Sequence, residues 1–189
     1  MKRKITLLIL FFTGAVLMQS CKKKDDDDST TTTPTLQAYI NGPEWTPDTL
    51  SASVVYNTTA KIKVLTITGT MAQKRATVVV TMGNASNDNT FSADTYRVDG
   101  SGSVVMTYYT QQKAADGSYV FVQHGTVQSG SGSVVVTSAD ATAKTLTGTF
   151  SFISTNKTYD SQGNIISVDV ANILSGQFNG LPYTYTISN

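Results

Sequence analysis

Residues 145–152 read TLTGTFSF, and every second position from Thr145 to Ser151 is Thr or Ser. The positions between them include Leu146, Phe150 and Phe152. A period of two sends alternate side chains to opposite faces of a β-strand, so this strand has one apolar and one polar face. Antiparallel strands with one face on a core and the other in solvent have this pattern. The stretch therefore predicts a half-buried antiparallel strand.

The same alternation returns in residues 50–56 (LSASVVY), 166–170 (ISVDV) and 183–187 (YTYTI), and each of these segments is expected to be half-buried. Turn signals such as Asp116-Gly117 separate the runs. The short spacings leave no room for the helical crossovers of a parallel sheet, so we expect antiparallel pairing. Residues 36–189 are therefore predicted to form an all-β domain, a single antiparallel β-sandwich or partly open barrel of about ten strands.

The first 20 residues have the layout of an export signal. Basic residues 2–4 (KRK) precede fourteen mostly apolar residues, 5–18. A membrane-spanning helix needs about 20 apolar residues, so the shorter run favours a signal-peptide core. Ser20-Cys21 resembles a bacterial lipobox, in which the Cys is acylated and becomes the first mature residue. We therefore predict a signal peptide at 1–20 and lipid attachment at Cys21; an ordinary cleaved signal and an uncleaved anchor are the alternatives.

Residues 21–35 are predicted to form a disordered tether between this lipid and the β domain. The run STTTTPT (29–35) has no large apolar side chain whose burial could offset the entropic cost of folding. Residues 22–28 (KKKDDDD) resemble the acidic export signal of lipoproteins from Bacteroidetes-type bacteria, and a solvated spacer is the alternative. These segments predict a protein anchored to the outer membrane, and an active export signal would expose it at the cell surface.

The net charge and the numbers of Cys and His exclude several classes of protein. The formal net charge is +1, and loss of Lys2, Arg3 and Lys4 with the signal peptide would bring it to −2. A chain this close to neutral is not a strongly basic nucleic-acid binder. One Cys excludes an intramolecular disulfide framework, and one Cys with one His argues against a zinc site. We expect no metal, no cofactor and a monomer.

Several short motifs of the β domain together resemble a known family. Trp45 lies near its start, residues 132–137 (GSVVVT) and 146–152 (LTGTFSF) follow, and residues 176–178 (GQF) come near its end. They resemble the Bacteroidetes lipoprotein family catalogued as domain of unknown function 6252, most clearly between Gly130 and Phe178. The resemblance implies a secreted, lipid-anchored β domain. It implies no known activity, so it transfers no catalytic residue.

The search for catalytic groups depends on one histidine and a few acids. His124 precedes Gly125 at a predicted strand end, and a Ser-His-Asp triad would have to include it. The alternative is a structural or exposed histidine. The acids expected to cap turns are Asp88, Asp99, Asp116, Asp140 and Asp160. The acids left for a glycoside hydrolase pair are Glu44, Asp48, Asp94 and Asp169. We expect no catalytic residue among these candidates.

Aromatic side chains are the stronger indication of a binding site. Aromatic rings on a β-sandwich can stack against sugars or other planar ligands. Tyr108 and Tyr109 are adjacent on one strand, so one of them is expected to face outward, and Tyr119 lies on the next strand. Trp45 sits in a segment flanked by prolines. These four residues are the ligand-binding candidates; core packing of the tyrosines and a Trp45 plug at one end of the sandwich are the alternatives.

Three functions follow from this reading of the sequence. The leading hypothesis is a lipid-anchored envelope protein whose β-sandwich is a non-enzymatic binding or structural module. Its partner would be a glycan or another envelope protein. The second hypothesis is a surface carbohydrate-binding lipoprotein that assists nutrient uptake. The third, a glycoside hydrolase-type enzyme, requires two of the remaining acids to converge in one cleft.

Overall fold

The computed structural model describes residues 35–189, and their regular structure consists entirely of β-strands. Cys21 and all but the last residue of the predicted tether lie outside these residues. Residues 35–189 contain no helix with the length and apolar character needed to cross a bilayer. The twelve strands are β1 (Thr35–Ile40), β2 (Glu44–Trp45), β3 (Thr49–Asn57), β4 (Ile62–Met71), β5 (Lys74–Met82), β6 (Asp94–Arg97), β7 (Val104–Lys113), β8 (Tyr119–Gln123), β9 (Thr126–Asp140), β10 (Thr145–Tyr159), β11 (Ile165–Pro182) and β12 (Thr184–Ser188).

The strands form two separate sheets of six strands each. Sheet A has the order β2-β1-β11-β10-β9-β6, and sheet B has the order β12-β3-β4-β5-β7-β8. The prediction of an all-β, mostly antiparallel fold is confirmed, and of the two predicted architectures the described strands form the sandwich. The strand number exceeds the expected ten partly because the short strands β2 and β6 carry little periodicity that a sequence could reveal.

The core lies between the two sheets and is built from alternate residues of the long strands. Leu146, Phe150 and Phe152 of β10 are buried, which confirms the interpretation of residues 145–152. They share the core with Val54 of β3 and Leu65 of β4 in sheet B. Full burial of each such side chain stabilises the fold by about 1.5–3 kcal/mol. The polar positions between them form the outer faces of the sheets.

The last strand corrects the expectation of purely antiparallel pairing. Strand β12 runs parallel to β3, with Thr184 beside Ser53 and Ser188 beside Asn57. A parallel pair normally needs a long crossover within one sheet. Here β12 follows β11 directly, and β11 belongs to the other sheet, so the chain changes sheets between Pro182 and Thr184. The long connection between β3 and β12 therefore consists of the eight strands β4 to β11 rather than of a helix.

The end of the β10–β11 hairpin corrects a second expectation. Ile166, Val168 and Val170 were predicted to face a core, but they are 63%, 52% and 40% exposed. Ala171 and Ile173 are the inward-facing residues of this strand, so the even-numbered positions before them point to the outer face. The alternation is present as predicted, but every residue from 165 to 170 is exposed, so neither face of this end of β11 meets the core.

Candidate functional site

The connection from sheet B to sheet A passes through the single histidine. Strand β8 ends at Gln123, and His124 and Gly125 lead into β9, as the sequence predicted for a histidine at a strand end. Gly125 has a φ of +57°, and a side chain there would collide with the backbone of Thr155. Only glycine fits both conditions, because other residues rarely adopt this φ and all of them carry a Cβ. The close approach of Gly125 to Thr155 therefore holds His124 against β10.

Three side chains surround the His124 ring. Its Nε2 lies 3.0 Å from Oδ2 of Asp169, and its Nδ1 lies 3.4 Å from Oγ of Ser154. The Tyr108 ring packs on the other side, with ring centroids 5.6 Å apart. Burial raises the pKa of the Tyr108 hydroxyl. The contacts of the His124 ring bring together Ser154, His124 and Asp169, which are far apart in the sequence.

This cluster lacks the geometry of a nucleophilic triad. The Ser154 side chain is buried, with an exposed fraction of 1%, and its hydroxyl donates to the carbonyl oxygen of His124. A triad serine instead gives its proton to the imidazole and faces the substrate. The contacts of His124 join Tyr108 of sheet B to Ser154 and Asp169 of sheet A. The cluster therefore acts as a clamp between the two sheets.

The predicted turn acids have the expected structural role. Asp99, Asp116 and Asp160 accept backbone hydrogen bonds from residues two positions later in the chain. Hydrogen bonds from Ser101, Ser118 and Asn164, respectively, lower the pKa of these three carboxyl groups. Asp140 and Asp88 also accept backbone hydrogen bonds in turns. Each of these carboxylates is engaged by the turn that it caps.

Three of the remaining acids lie on sheet A, and the fourth, Asp48, lies in the connection between β2 and β3. Glu44 lies on β2 and Asp94 on β6, which are the two opposite edges of the sheet. Five strand spacings separate them, roughly 24 Å, whereas glycosidase carboxyl pairs lie about 5–9.5 Å apart. Asp169 contacts His124 on the hairpin of β10 and β11. Residues 35–189 hold no group of three His, Cys, Asp or Glu side chains that could bind a metal ion.

Two of the four aromatic candidates belong to the core. Trp45 and Tyr108 are 1% and 4% exposed, so neither can offer its ring to a ligand from the surface. Trp45 packs over Gly69 of β4 together with Leu36, as expected for a plug. Its Nε1 is buried and has no hydrogen-bond partner within the described part of the chain.

The other two candidates lie together on the outer face of sheet B. Tyr108 and Tyr109 point to opposite faces, as predicted, and Tyr109 is the outward-facing one. Tyr119 and Phe121 are two residues apart on β8, and the β7–β8 register puts both on the face of Tyr109. Tyr119 is 59% exposed, while Tyr109 and Phe121 are half-buried. We call Tyr109, Phe121 and Tyr119 the aromatic strip.

An arginine from β5 completes this surface. The guanidinium carbon of Arg75 lies 4.0 Å from the centroid of the Phe121 ring, within the range of a cation–π contact. Arg75 Nε donates to Thr70 Oγ1 at 3.2 Å, and Arg75 is the cross-strand neighbour of Tyr109. The aromatic strip therefore lies beside the positive charge of Arg75, whose side chain is held by its contacts with Phe121 and Thr70.

Sequence reasoning missed Arg75 for a physical reason. Arg75 and Phe121 are far apart in the chain and meet only because β7 pairs with both β5 and β8. Tyr109 and Tyr119 are among the four sequence candidates because aromatic residues on strands reveal their faces, whereas Phe121, two positions after Tyr119, is not among the four. Arg75 could not be found from the sequence, since nothing in the local sequence around residue 75 encodes which strands become neighbours.

A comparison with known families identifies this domain. The model of the family described as "Domain of unknown function (DUF6252)" matches residues 32–182, most of the chain. The chain belongs to this family, as the motifs from Trp45 to Phe178 indicated. No curated protein and no solved structure matches the chain.

Proposed function

We propose that this member of the DUF6252 family is a lipid-anchored envelope protein whose β-sandwich is a non-enzymatic binding module. The observation that carries the proposal is the aromatic strip, Tyr109, Phe121 and Tyr119, on the outer face of sheet B beside Arg75. The exposed Tyr119 beside two half-buried aromatic side chains on one face favours recognition rather than packing. The strip is the recognition surface of the module.

A carbohydrate is the ligand class that fits the chemistry of the strip best. Alternate residues on a strand are about 7 Å apart, so the exposed Tyr119 ring offers a stacking position beside the pair formed by Phe121 and the Arg75 guanidinium. Gln111 and Lys113 of β7 are paired with Phe121 and Tyr119 and supply hydrogen-bond donors beside the rings. A flat apolar surface bordered by polar groups matches a sugar, whose ring faces are apolar and whose edges carry hydroxyls.

Binding to purified polysaccharides tests the ligand class. The full chain, extracted in mild detergent, is applied to a printed panel of starch, xylan, mannan, pectin, chitin and mucin glycans. We expect saturable binding to at least one of them. An absence of binding across the panel would contradict the carbohydrate assignment and leave an envelope protein as the ligand to be sought.

The anchor rests on residues outside the described range. Cys21 follows an apolar run of signal-peptide length, and it is the only cysteine in the chain. If the lipid occupies this thiol, the mature chain has no free thiol in an oxidising compartment, where one would be reactive. We propose that several acyl chains at Cys21 hold the protein at the outer membrane, since each buried CH₂ contributes about 0.8 kcal/mol.

Protease treatment of intact cells tests the location. We expect the membrane fraction to contain the wild-type chain and to lose the Cys21→Ala variant. Digestion of the domain on intact cells would support exposure at the cell surface. Digestion only after the outer membrane is made permeable would contradict surface exposure and put the binding module in the periplasm.

A further inference from the structure

The outer face of sheet A carries an unusual number of large apolar side chains in solvent. Four of them lie on β11, one on β10 and one on β1, and their exposed fractions range from 37% to 63%. We call this set the outer apolar face, which consists of Ile166, Val168, Val170, Leu174, Ile153 and Tyr39. It is on the opposite sheet from the aromatic strip.

The strand register makes these residues neighbours. Tyr39 of β1 pairs with Leu174, and Ile153 of β10 pairs with Asn172. The alternation along β11 puts Val168 and Val170 on the same face as Leu174. The result is a continuous apolar surface that runs diagonally across three strands.

The size of this surface is in the range of functional apolar patches and suits a macromolecular partner. The six side chains together expose roughly 500 Å², and the polar residues between them widen the footprint toward the roughly 800 Å² that each partner buries in a standard interface. The segment that precedes the described residues does not suit this role. Residues 22–34 contain no Leu, Ile, Val, Met or aromatic residue that could cover an apolar face.

The charges at the ends of the face make it complementary to a second copy of itself. Glu44 of β2 pairs with Tyr39 at one end, and Lys157 of β10 pairs with Val168 at the other. Strand spacing and rise put the two charges roughly 24 Å apart. In a two-fold interface, residue i of one copy meets residue j of the other, and the reverse contact also forms. An acid and a base at opposite ends of one apolar face satisfy this symmetry.

We propose that a second copy of this chain docks on the outer apolar face, so that Glu44 of each copy pairs with the partner subunit's Lys157. The protein is then a symmetric dimer rather than the monomer expected from its sequence. The apolar side chains drive association, and the two ion pairs fix its orientation. The aromatic strips lie on the outer faces of sheet B and stay free, which gives the dimer two recognition surfaces and a gain in avidity on a repeating ligand.

Disulfide cross-linking in membranes of cells that express the full chain tests the dimer. The double variant Glu44→Cys with Lys157→Cys should give a band of twice the monomer mass under mild oxidation. Each single variant should give at most about a tenth of that band, because a disulfide needs Cα atoms within about 7 Å and like positions lie far apart in this dimer. The wild-type chain controls for reaction at Cys21.

A matched pair of surface variants tests whether the apolar face is the cause. Val168→Lys, added to the cysteine pair, should reduce the cross-linked band at least about tenfold. Ile187→Lys on β12 is the control, because Ile187 is 55% exposed and Val168 is 52% exposed. A band no stronger than in the single variants, a band of another mass, or one that survives Val168→Lys would overturn the proposal.

Discussion

Lys63 and Asp88 form an ion pair at the edge of the core, with Lys63 Nζ 2.7 Å from Asp88 Oδ1. The lysine side chain is 3% exposed, whereas the aspartate side chain is 42% exposed. Lys63 also donates to the carbonyl oxygen of Thr90 at 3.0 Å. An ammonium group buried this deeply is tolerated only when it has such partners. The pair fastens the loop before β6 to strand β4.

Removal of the acidic partner should destabilise the fold. Asp88→Asn removes the negative charge that compensates the buried Lys63 ammonium and leaves only neutral acceptors, the Asn amide oxygen and the Thr90 carbonyl oxygen. We expect a loss of about 1–2 kcal/mol in the free energy of unfolding, below the full cost of a buried pair because Asp88 is partly exposed. Urea denaturation measures this change. The same change at the exposed Asp48, Asp48→Asn, is the control, because the Asp48 carboxylate accepts only from the hydroxyl of the adjacent Thr49 among the described residues; equal stability of the two variants would contradict the role of the pair.

The ion pair also predicts a dependence on pH. The hydrogen bond from Lys63 holds the pKa of Asp88 well below its ordinary value of 3.8. The folded state therefore binds this proton more weakly than the unfolded state. The contribution is complete above about pH 5 and is lost as the pH falls toward the lowered pKa of the folded state. The stability difference between wild type and Asp88→Asn should narrow from about pH 6 to about pH 3; a constant difference would contradict this account.

Gly69 provides a test of the Trp45 plug. A Cβ at Gly69 would lie 2.6 Å from Leu36 and 2.8 Å from Trp45. Gly69→Ala should lower the free energy of unfolding by about 1–3 kcal/mol through overpacking. Gly83→Ala is the matched control, since nothing lies within 4 Å of the Cβ it would add. Thermal unfolding that gave the same midpoint for both variants would show that the plug can relax at little cost.

The His124 clamp predicts unequal effects for removal of the histidine and removal of its exposed partner Asp169. His124→Ala removes a ring that packs on Tyr108 and should lower the free energy of unfolding by about 1–2 kcal/mol. Asp169→Ala should change it by less than about 0.5 kcal/mol, because the Asp169 side chain is 73% exposed. Denaturant unfolding of both variants compares the two. A larger loss for Asp169→Ala than for His124→Ala would refute the clamp.

Much of the fold could be predicted because alternation along a strand is a local property. Residues 145–152 alternate, and their apolar positions Phe150 and Phe152 are buried as predicted. Residues 166–170 alternate equally well, but they extend beyond the segment of β11 that pairs with β1 and expose their apolar face. The same pattern thus has two outcomes, and the neighbouring strands decide between them.

The candidate site depended even more on contacts between distant residues. Tyr109 and Tyr119 could be selected from the sequence, whereas the contact between Arg75 and Phe121 depends on the strand order of sheet B. The sequence does indicate that Lys63 is buried, because Lys63 occupies the same alternate positions of β4 as the inward-facing Leu65 and Ile67. A lysine in an apolar phase indicates a buried charge with a partner, whereas the identity of that partner, Asp88, depends on a loop conformation that alternation does not encode.

The most direct test of the recognition surface compares two equally exposed tyrosines. Tyr119 of the aromatic strip is 59% exposed, and Tyr159 at the end of β10 is 54% exposed. Binding of the wild type, Tyr119→Ala and Tyr159→Ala is titrated with a polysaccharide bound in the panel. We predict that Tyr119→Ala weakens binding at least about tenfold and that Tyr159→Ala stays within about twofold of the wild type. Equal affinities of the two variants, or a larger loss for Tyr159→Ala, would contradict the aromatic strip as the binding surface.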